Sequence, residues 1–246
     1  MPGSVVVTGA AGGIGAAIAA RFAEGGHTVV GIDLDGERLR ERAASWPGEH
    51  VTVEADVTDE ERLREACERA ARVPGGLRAF VGNAGHARAG ASIGYPLPEW
   101  ERMLAVHLTG CFVGARQAAA HMPDGGAVVL ISSVNGQRGF PGRVAYGAAK
   151  AGIAGLLKGL ATEWAAAGVR VNGIAPGSIE TELSAEFLAQ GVIDRDAFLD
   201  RIPLGRFGRP EEVAELAFFL GTPLSSYVTG TLIPIDGGWL AQGIGS

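Results

Sequence analysis

The sequence predicts an α/β protein built on a doubly wound parallel sheet of about seven strands, with helices on both faces in a three-layer sandwich. Three observations carry that expectation. Short β-branched runs alternate along the whole chain with longer stretches of helical apolar period. Most of the runs are almost continuously apolar, as strands are when both faces of a parallel sheet are covered. A glycine-rich turn follows the first run directly and opens a helical stretch, the arrangement of a Rossmann-like nucleotide fold.

Taken in order, the strands are read at Val5–Val7, His27–Ile32, Val51–Glu54, Ala79–Val81, Ala127–Ile131, Val169–Ile174 and Thr231–Ile235. The helix opening at Gly13 carries Ile14, Ile18 and Phe22 at fourfold spacing, so one face is apolar and packs on the sheet. A long helix from about Val144 to Ala167 sets Ala149, Ile153, Leu156, Leu157, Leu160 and Trp164 on one side. Between residues 177 and 209 this regularity breaks at Gly177, Gly191, Pro203, Gly205 and Gly208, around two short helical pieces. That stretch is read as a mobile lid over a pocket. No composition shift, linker or internal repeat divides the chain, and residues 1–246 are read as one dinucleotide-binding and catalytic domain.

Composition narrows the function classes. Hydrophobic residues make up 47% and charged residues 20%, which fits an ordinary globular chain and excludes a disordered or fibrous one. A formal charge of -6 repels a phosphate backbone or an anionic membrane, so neither nucleic acid nor membrane is an expected partner. Cys67 and Cys111 each sit in an apolar helical segment with no Cys or His at ligand spacing; they read as core fillers, and no metal site is expected. The first residues do not read as a signal peptide and the apolar runs are strand-sized, so a cytoplasmic protein is expected.

The glycine turn is Thr8-Gly9-Ala10-Ala11-Gly12-Gly13-Ile14-Gly15. Glycines permit positive φ and close approach of a pyrophosphate, and the free N–H groups at the helix start stabilise its charge. Eighteen residues beyond Gly15, Asp33 ends the second strand in Gly31-Ile32-Asp33-Leu34-Asp35, where an acid hydrogen-bonds an adenosine ribose. Its carboxylate repels a 2′-phosphate, and no Arg or Lys lies in the glycine turn or beside Asp33 in sequence; NAD is therefore favoured over NADP. The competing duty, capping the next helix, suits Asp35 at least as well.

Tyr146 and Lys150 stand four residues apart near the start of the long helix and project from one face. A free phenol, with a pKa near 10, is a poor base at neutral pH, and a neighbouring ammonium favours its ionised form. Ser133, thirteen residues before Tyr146 and just past the fifth strand, offers a hydroxyl to hold a substrate oxygen beside the phenol.

These elements together resemble the short-chain dehydrogenase/reductase family over essentially the whole chain. The motifs occur in family order: T-G-A-A-G-G-I-G at 8–15, D-V at 56–57, N-A-G at 83–85, Ser133, Y-G-A-A-K at 146–150 and P-G at 176–177. The resemblance implies that Gly9, Gly12, Gly13, Ile14 and Gly15 cradle the cofactor, that Asp33 and Leu34 meet its ribose end, and that Asp56 and Val57 hold the adenine. It places Asn83, Ala84 and Gly85 along the adenosine side, and Pro176, Gly177, Ile179 and Thr181 near the nicotinamide carboxamide or pyrophosphate, with Lys150 reaching the ribose hydroxyls. It also implies a homotetramer. The apolar stretches 106–119 and 153–164 read either as helix-to-helix interfaces or as core, and Asp236–Leu240 as a segment reaching a neighbouring subunit.

Two positions depart from the family pattern. Gly82 stands where many members have a second Asn. His107 stands where the catalytic tetrad usually has an asparagine that binds a relay water through its main-chain carbonyl. It is read either as a catalytic residue that keeps the relay, or as a hydrogen-bonded helix histidine with no proton-transfer role.

The expected activity is interconversion of a secondary alcohol and a ketone: Ser133 and Tyr146 hold the hydroxyl, and Tyr146 exchanges its proton. The pocket is expected from His86–Tyr95, Val134–Arg143 and the lid, with His86, Asn135, Gln137, Arg138 and Arg143 among apolar residues. An inward arginine would recognise a carboxylate or phosphate, and an outward one would be solvated or make subunit contacts. The rival readings are an NADPH-dependent 3-oxoacyl carrier-protein reductase, against which Asp33 counts, and a catalytically silent dinucleotide sensor, against which Ser133, Tyr146 and Lys150 count.

Overall fold

A computed structural model describes residues 2–86, 88–182, 184–185 and 195–242 of the chain. Seven strands form one sheet: β1 Ser4–Thr8, β2 Thr28–Asp33, β3 Val51–Glu54, β4 Leu77–Gly82, β5 Gly126–Ile131, β6 Val169–Pro176 and β7 Leu232–Ile235. Their order is β3-β2-β1-β4-β5-β6-β7, and every neighbouring pair is parallel. The expected strands are all present, each within two residues of its expected bounds at either end.

The two faces of the sheet are covered because strand residues alternate in direction. Val6, Val30 and Phe80 enter one apolar cluster, with Leu63, Cys67, Cys111, Ala115, Ile153 and Leu157. Val5, Val7, Val29 and Val81 enter the other, with Ile18, Phe22, Val213, Ala217 and Leu220. The first cluster brings in helices α3 Glu60–Ala71, α5 Gly110–Ala119 and α6 Val144–Trp164. The second brings in α1 Gly13–Glu24 and the helix Pro210–Gly221. The result is the expected three-layer, doubly wound sandwich.

Strand order reverses at β1, whose neighbours are β2 and β4. The chain leaving β1 and the chain leaving β4 therefore diverge at the carboxyl ends of the strands and open a crevice there. Thr8 and Asn83 stitch its two sides. The backbone N–H groups of Asn83 and Ala84 each donate to Thr8 Oγ1 at 3.0 Å, and Asn83 Nδ2 donates to the carbonyls of Thr8 (3.0 Å) and Gly9 (3.3 Å).

Local chemistry sets the helix ends that frame this crevice. α1 is preceded at its N-cap by Gly12, whose lack of a side chain leaves the first N–H groups without a side-chain cap, and no acidic residue occupies the first turn. α2, Gly36–Ala43, is capped by Asp35, which accepts from the Arg38 N–H at 3.0 Å. Asp33 is thereby released from the capping duty that was the alternative for it. Residues 165–167 continue the long helix only as a tighter turn, ended by Gly168 in the left-handed region (φ 73°). Between α4 Leu97–Leu104 and α5, residues Ala105–Thr109 form a π-helical turn that carries His107. Such turns insert one residue and redirect side chains.

The stretch 177–209 contains the short helix α7, Arg195–Leu199, and its two ends are joined by a bridge between Ile179 and Gly208. Leu183 and residues 186–194, part of the expected lid, lie outside the described residues. α8 is the helix Pro210–Gly221. Both cysteines are buried. Val106, Cys111, Ala115, Ala118, Ile153, Leu157 and Leu160 are core residues, so these side chains of the candidate interface stretches are spent inside the chain. Among the described residues no helix is long and apolar enough to cross a membrane.

Candidate active site

A cavity of about 620 Å³ opens at the carboxyl ends of the strands. Its wall brings together Gly9, Gly12, Gly13, Ile14, Asp33, Asn83, Gly85, His107, Ser133, Tyr146, Lys150, Pro176, Gly177, Ile179 and Thr181, all expected from the sequence. Five expected residues do not reach the wall. Gly15 lies beneath the turn, where a Cβ would stand 1.9 Å from the Gly9 carbonyl oxygen. Leu34 points to solvent at 63% exposure. Val57 and Ala84 pack on the core cluster beside α3 and α5. The Asp56 carboxylate is turned to Arg102 Nη2 at 2.7 Å and to the Thr58 N–H at 2.9 Å.

Two backbone donors fix the Asp33 side chain on the cleft wall: Oδ2 accepts from the Ala11 N–H at 2.9 Å and Oδ1 from the Asp35 N–H at 3.1 Å. Beside it, the uncapped start of α1 offers N–H groups and a positive dipole end to an anion. These residues fit the adenosine and pyrophosphate of a nicotinamide dinucleotide. No cation adjoins Asp33 in sequence, but the structure corrects that picture in space. Arg38, one turn into α2, lies over the glycine turn, with Nη2 3.0 Å from where a Gly12 Cβ would stand. There it forms an ion pair with Glu182 from the segment after β6.

At the other end, Lys150 is buried and its Nζ donates to the Ile131 carbonyl at 2.7 Å. That bond fixes the ammonium 5.6 Å from the centre of the Tyr146 ring. Ser132 secures the same helix turn by donating to the Lys150 carbonyl at 2.8 Å. Ser133 Oγ accepts from the Asn135 N–H at 3.1 Å, which leaves its hydrogen for another acceptor.

His107 is 2% exposed, and its ring stands edge-on to Tyr146 with centroids 5.2 Å apart. Nε2 lies 2.7 Å from the His86 carbonyl and 3.1 Å from the His86 N–H, and Nδ1 has no partner among the described atoms. The tautomer protonated on Nε2 donates to that carbonyl and buries only a lone pair at Nδ1, whereas the one protonated on Nδ1 accepts from the His86 N–H and buries an unpaired N–H. Burial, followed by the Lys150 cation, drives the His107 pKa down to about 2. Burial therefore favours the neutral imidazole, which favours the hydrogen-bonded reading over a proton-transfer one.

A pH effect follows. Below pH 6.5 the unfolded chain protonates this imidazole and the folded chain does not, so stability is lost as pH falls. Between about pH 7 and pH 5 that share is about 2 kcal/mol. Thermal denaturation of His107→Asn is expected to show a flatter pH dependence over this window than the parent. Parallel profiles would place a charged, not a neutral, histidine in the fold. His27 and His50 are also pushed down by burial, and they cancel in the comparison.

Phe198 and Phe207 from the expected lid line the cavity with Phe140 and Arg143, whereas Gln137 and Arg138 do not, and Trp239 is a wall residue that the sequence missed. Trp239 was expected to reach a neighbouring subunit. It instead stacks on Phe140 of its own chain, centroids 5.0 Å apart at 18°, because the glycines at 237 and 238 take positive φ and turn it inward. Among the described residues no group of three or more His, Cys, Asp or Glu is placed to hold a metal.

A reversed-order parallel sheet with an uncapped glycine turn, an acid at the end of β2 and a Ser/Tyr/Lys cluster in one cleft is the architecture of a dinucleotide-binding oxidoreductase. The family model described as enoyl-(acyl carrier protein) reductase matches residues 9–240. A 3-oxoacyl-[acyl-carrier-protein] reductase of Thermotoga maritima is 39% identical over 95% of this chain and 96% of its own length. Cis-4-hydroxycyclohexanecarboxylate dehydrogenase of Sinomonas cyclohexanicum is 40% identical over 96% of both chains. An uncharacterized short-chain type dehydrogenase/reductase of Sinorhizobium fredii is 39% identical over 98% of this chain, which spans 44% of that longer protein. Among solved structures, a putative 2-deoxy-D-gluconate 3-dehydrogenase from Agrobacterium tumefaciens with bound NADP superposes with a TM-score of 0.89 at 34% identity, covering 98% of this chain and 97% of the other. The chain belongs to the short-chain dehydrogenase/reductase family and is an oxidoreductase of that class.

Proposed function

We propose that this chain is an NAD-dependent oxidoreductase that interconverts a secondary alcohol and a ketone, with Tyr146 as the general acid/base. The observation that carries the reading is the convergence of Ser133, Tyr146 and Lys150 on the same cavity wall as Asp33 and the glycine turn. The nicotinamide, when bound, supplies the hydride acceptor or donor. Ser133 donates its free hydrogen to the substrate oxygen. Tyr146 takes the hydroxyl proton in oxidation and returns it in reduction, while Lys150, pinned on the Ile131 carbonyl, keeps a positive charge beside the ring. His107 is a positioning residue that ties the chain after β4 to the Tyr146 ring. Residues 177–209 form the cover of one catalytic domain, the family resemblance favours a homotetramer, and the composition of the chain favours a cytoplasmic place for it.

The far half of the cavity supports a ring-bearing substrate. Phe140, with Trp239 at 5.0 Å and Phe198 at 6.3 Å between ring centroids, belongs to an aromatic, apolar wall that favours a cyclic carbon skeleton over a flexible chain. The printed name of the Sinomonas relative, a cyclohexane alcohol dehydrogenase, agrees with this. The second reading, reduction of a 3-oxoacyl thioester with NADPH, is favoured by the Thermotoga relative and by Arg38.

Both readings are tested by one screen, in which cyclohexanol, 4-hydroxycyclohexanecarboxylate and a 3-hydroxyacyl thioester are offered with NAD⁺ and NADP⁺ and nicotinamide absorbance is followed. The expected result is NADH formation on a cyclic alcohol, with kcat/KM at least about tenfold lower for NADP⁺. A preference for the thioester with NADP⁺ selects the second reading. Dinucleotide binding without a rate on any substrate, in either direction, would overturn both in favour of a sensor.

A further inference from the structure

The cofactor end of the cleft contains an arrangement that the ribose acid alone does not explain. Glu182, from the chain leaving β6, reaches across the glycine turn to α2, 144 residues earlier in sequence. One of its carboxylate oxygens pairs with Arg38 and the other lies 3.3 Å from Arg42 Nη2. The bridge rests directly on the turn: a Cβ on Gly12 would stand 3.0 Å from Arg38 Nη2 and 3.5 Å from Glu182 Oε2. Gly12, Asp33, Arg38 and Glu182 all line the same cavity. Asp33 and Asp35 also act on the Arg38 guanidinium through their charge, but the direct hydrogen bond that it donates to Glu182 dominates.

This geometry bears on cofactor choice. A guanidinium beside Gly12 and Asp33 stands where a 2′-phosphate on the adenosine ribose would be received, and Arg is the side chain best suited to hold such a group by two parallel hydrogen bonds. Left free, it would offset the repulsion from Asp33. It is not free, because Glu182 holds it from the opposite wall. The pair is partly solvent-exposed, with side-chain exposures of 37% and 63%, so it is weak enough for a single substitution to undo.

We propose that Glu182 is a cofactor-specificity residue: by engaging Arg38 it withholds from a 2′-phosphate the guanidinium that lies over the glycine turn, and so acts with Asp33 to favour NAD. The proposal rests on the NAD reading above. It adds a determinant from the far side of the cleft, on an element that sequence proximity to Asp33 does not reveal.

The test is a binding cycle on the full chain, using ADP-ribose and its 2′-phosphorylated form, so that neither turnover nor the nicotinamide enters the readout. Glu182→Gln is expected to tighten the 2′-phosphorylated ligand about tenfold and to leave ADP-ribose within about twofold. Arg38→Met combined with Glu182→Gln is expected to abolish the gain, since the gain belongs to the released guanidinium. An unchanged affinity ratio in Glu182→Gln overturns the proposal. So does an equal gain in the double variant, which would mean that removing any carboxylate from the cleft suffices. The parent's own ratio is a separate result: tighter binding of the 2′-phosphorylated ligand by the parent would refute the NAD reading, while the shift caused by Glu182→Gln still decides the role of Glu182. Both side chains are solvent-exposed, and thermal denaturation of each variant verifies that the fold is retained.

Discussion

Tyr146→Phe is expected to lower kcat by about 10²- to 10⁴-fold, the range general acid–base catalysis supplies, while dinucleotide affinity stays within about twofold of the parent. The substitution removes one oxygen and keeps the ring. That ring packs edge-on against His107 at 5.2 Å, so the neighbouring fold has no reason to move and thermal stability should be unaffected. Ser133 still donates to the substrate oxygen and Lys150 stays anchored on the Ile131 carbonyl, so the variant binds both ligands but has no group in place to exchange the hydroxyl proton. Steady-state rates on the best substrate from the screen, with fluorescence titration of NADH, separate the two quantities. A variant turning over at the parental rate would show that the proton leaves by another group. A parallel loss of dinucleotide affinity would make Tyr146 a binding residue.

The sheet was readable in the sequence because each strand is an apolar, largely β-branched run bounded by a turn residue, and burial on both faces demands that pattern. The catalytic cluster was readable for a related reason. Tyr146 and Lys150 lie one helical turn apart, and Ser133 follows a strand whose end is visible, so local geometry brings the three together. The cofactor turn was equally local, since Gly12 serves as the helix cap and Asp33 ends the neighbouring strand.

What escaped the sequence depends on distance or on a one-residue irregularity. Glu182 meets Arg38 and Arg42 only because the chain after β6 and α2 flank the same crevice, and no periodicity records that meeting. Trp239 reaches the substrate half of the cavity through two positive-φ glycines at 237 and 238, and the same Gly-Gly-Trp letters would equally suit a tail reaching outward. The π turn at Ala105–Thr109 adds one residue to an otherwise continuous helical stretch, too small a change to disturb the apolar period but enough to set His107 against Tyr146. Sequence identified His107 as a departure from the family pattern without deciding what it does. Its burial favours the neutral form, and Nε2 contacts both the N–H and the carbonyl of His86.

Gly85 is the residue on which that placement of His107 depends, and Gly85→Ala is expected to lower both stability and rate. Its φ is not positive, so the backbone would accept any residue and the demand for glycine is one of space alone. A Cβ there would lie 2.2 Å from His107 Cε1 and 2.7 Å from Nδ1. The ring is buried and bonded to the His86 backbone, so either it slides toward Tyr146 or the chain after β4 lifts away. Overpacking of this kind costs about 1–3 kcal/mol, or a Tm lower by roughly 2–10 °C for a chain of this size. A displacement of about 1 Å at the phenol would cost up to about 10²-fold in kcat. The decisive measurement is a double-mutant cycle with His107→Asn, whose shorter side chain vacates the space a new methyl group needs. If the clash is with the imidazole, Gly85→Ala in the His107→Asn background loses at least about 1 kcal/mol less stability than it does alone, and recovers much of the lost rate. Equal losses in both backgrounds would place the obstruction in the backbone and remove His107 from the account of how Tyr146 is held.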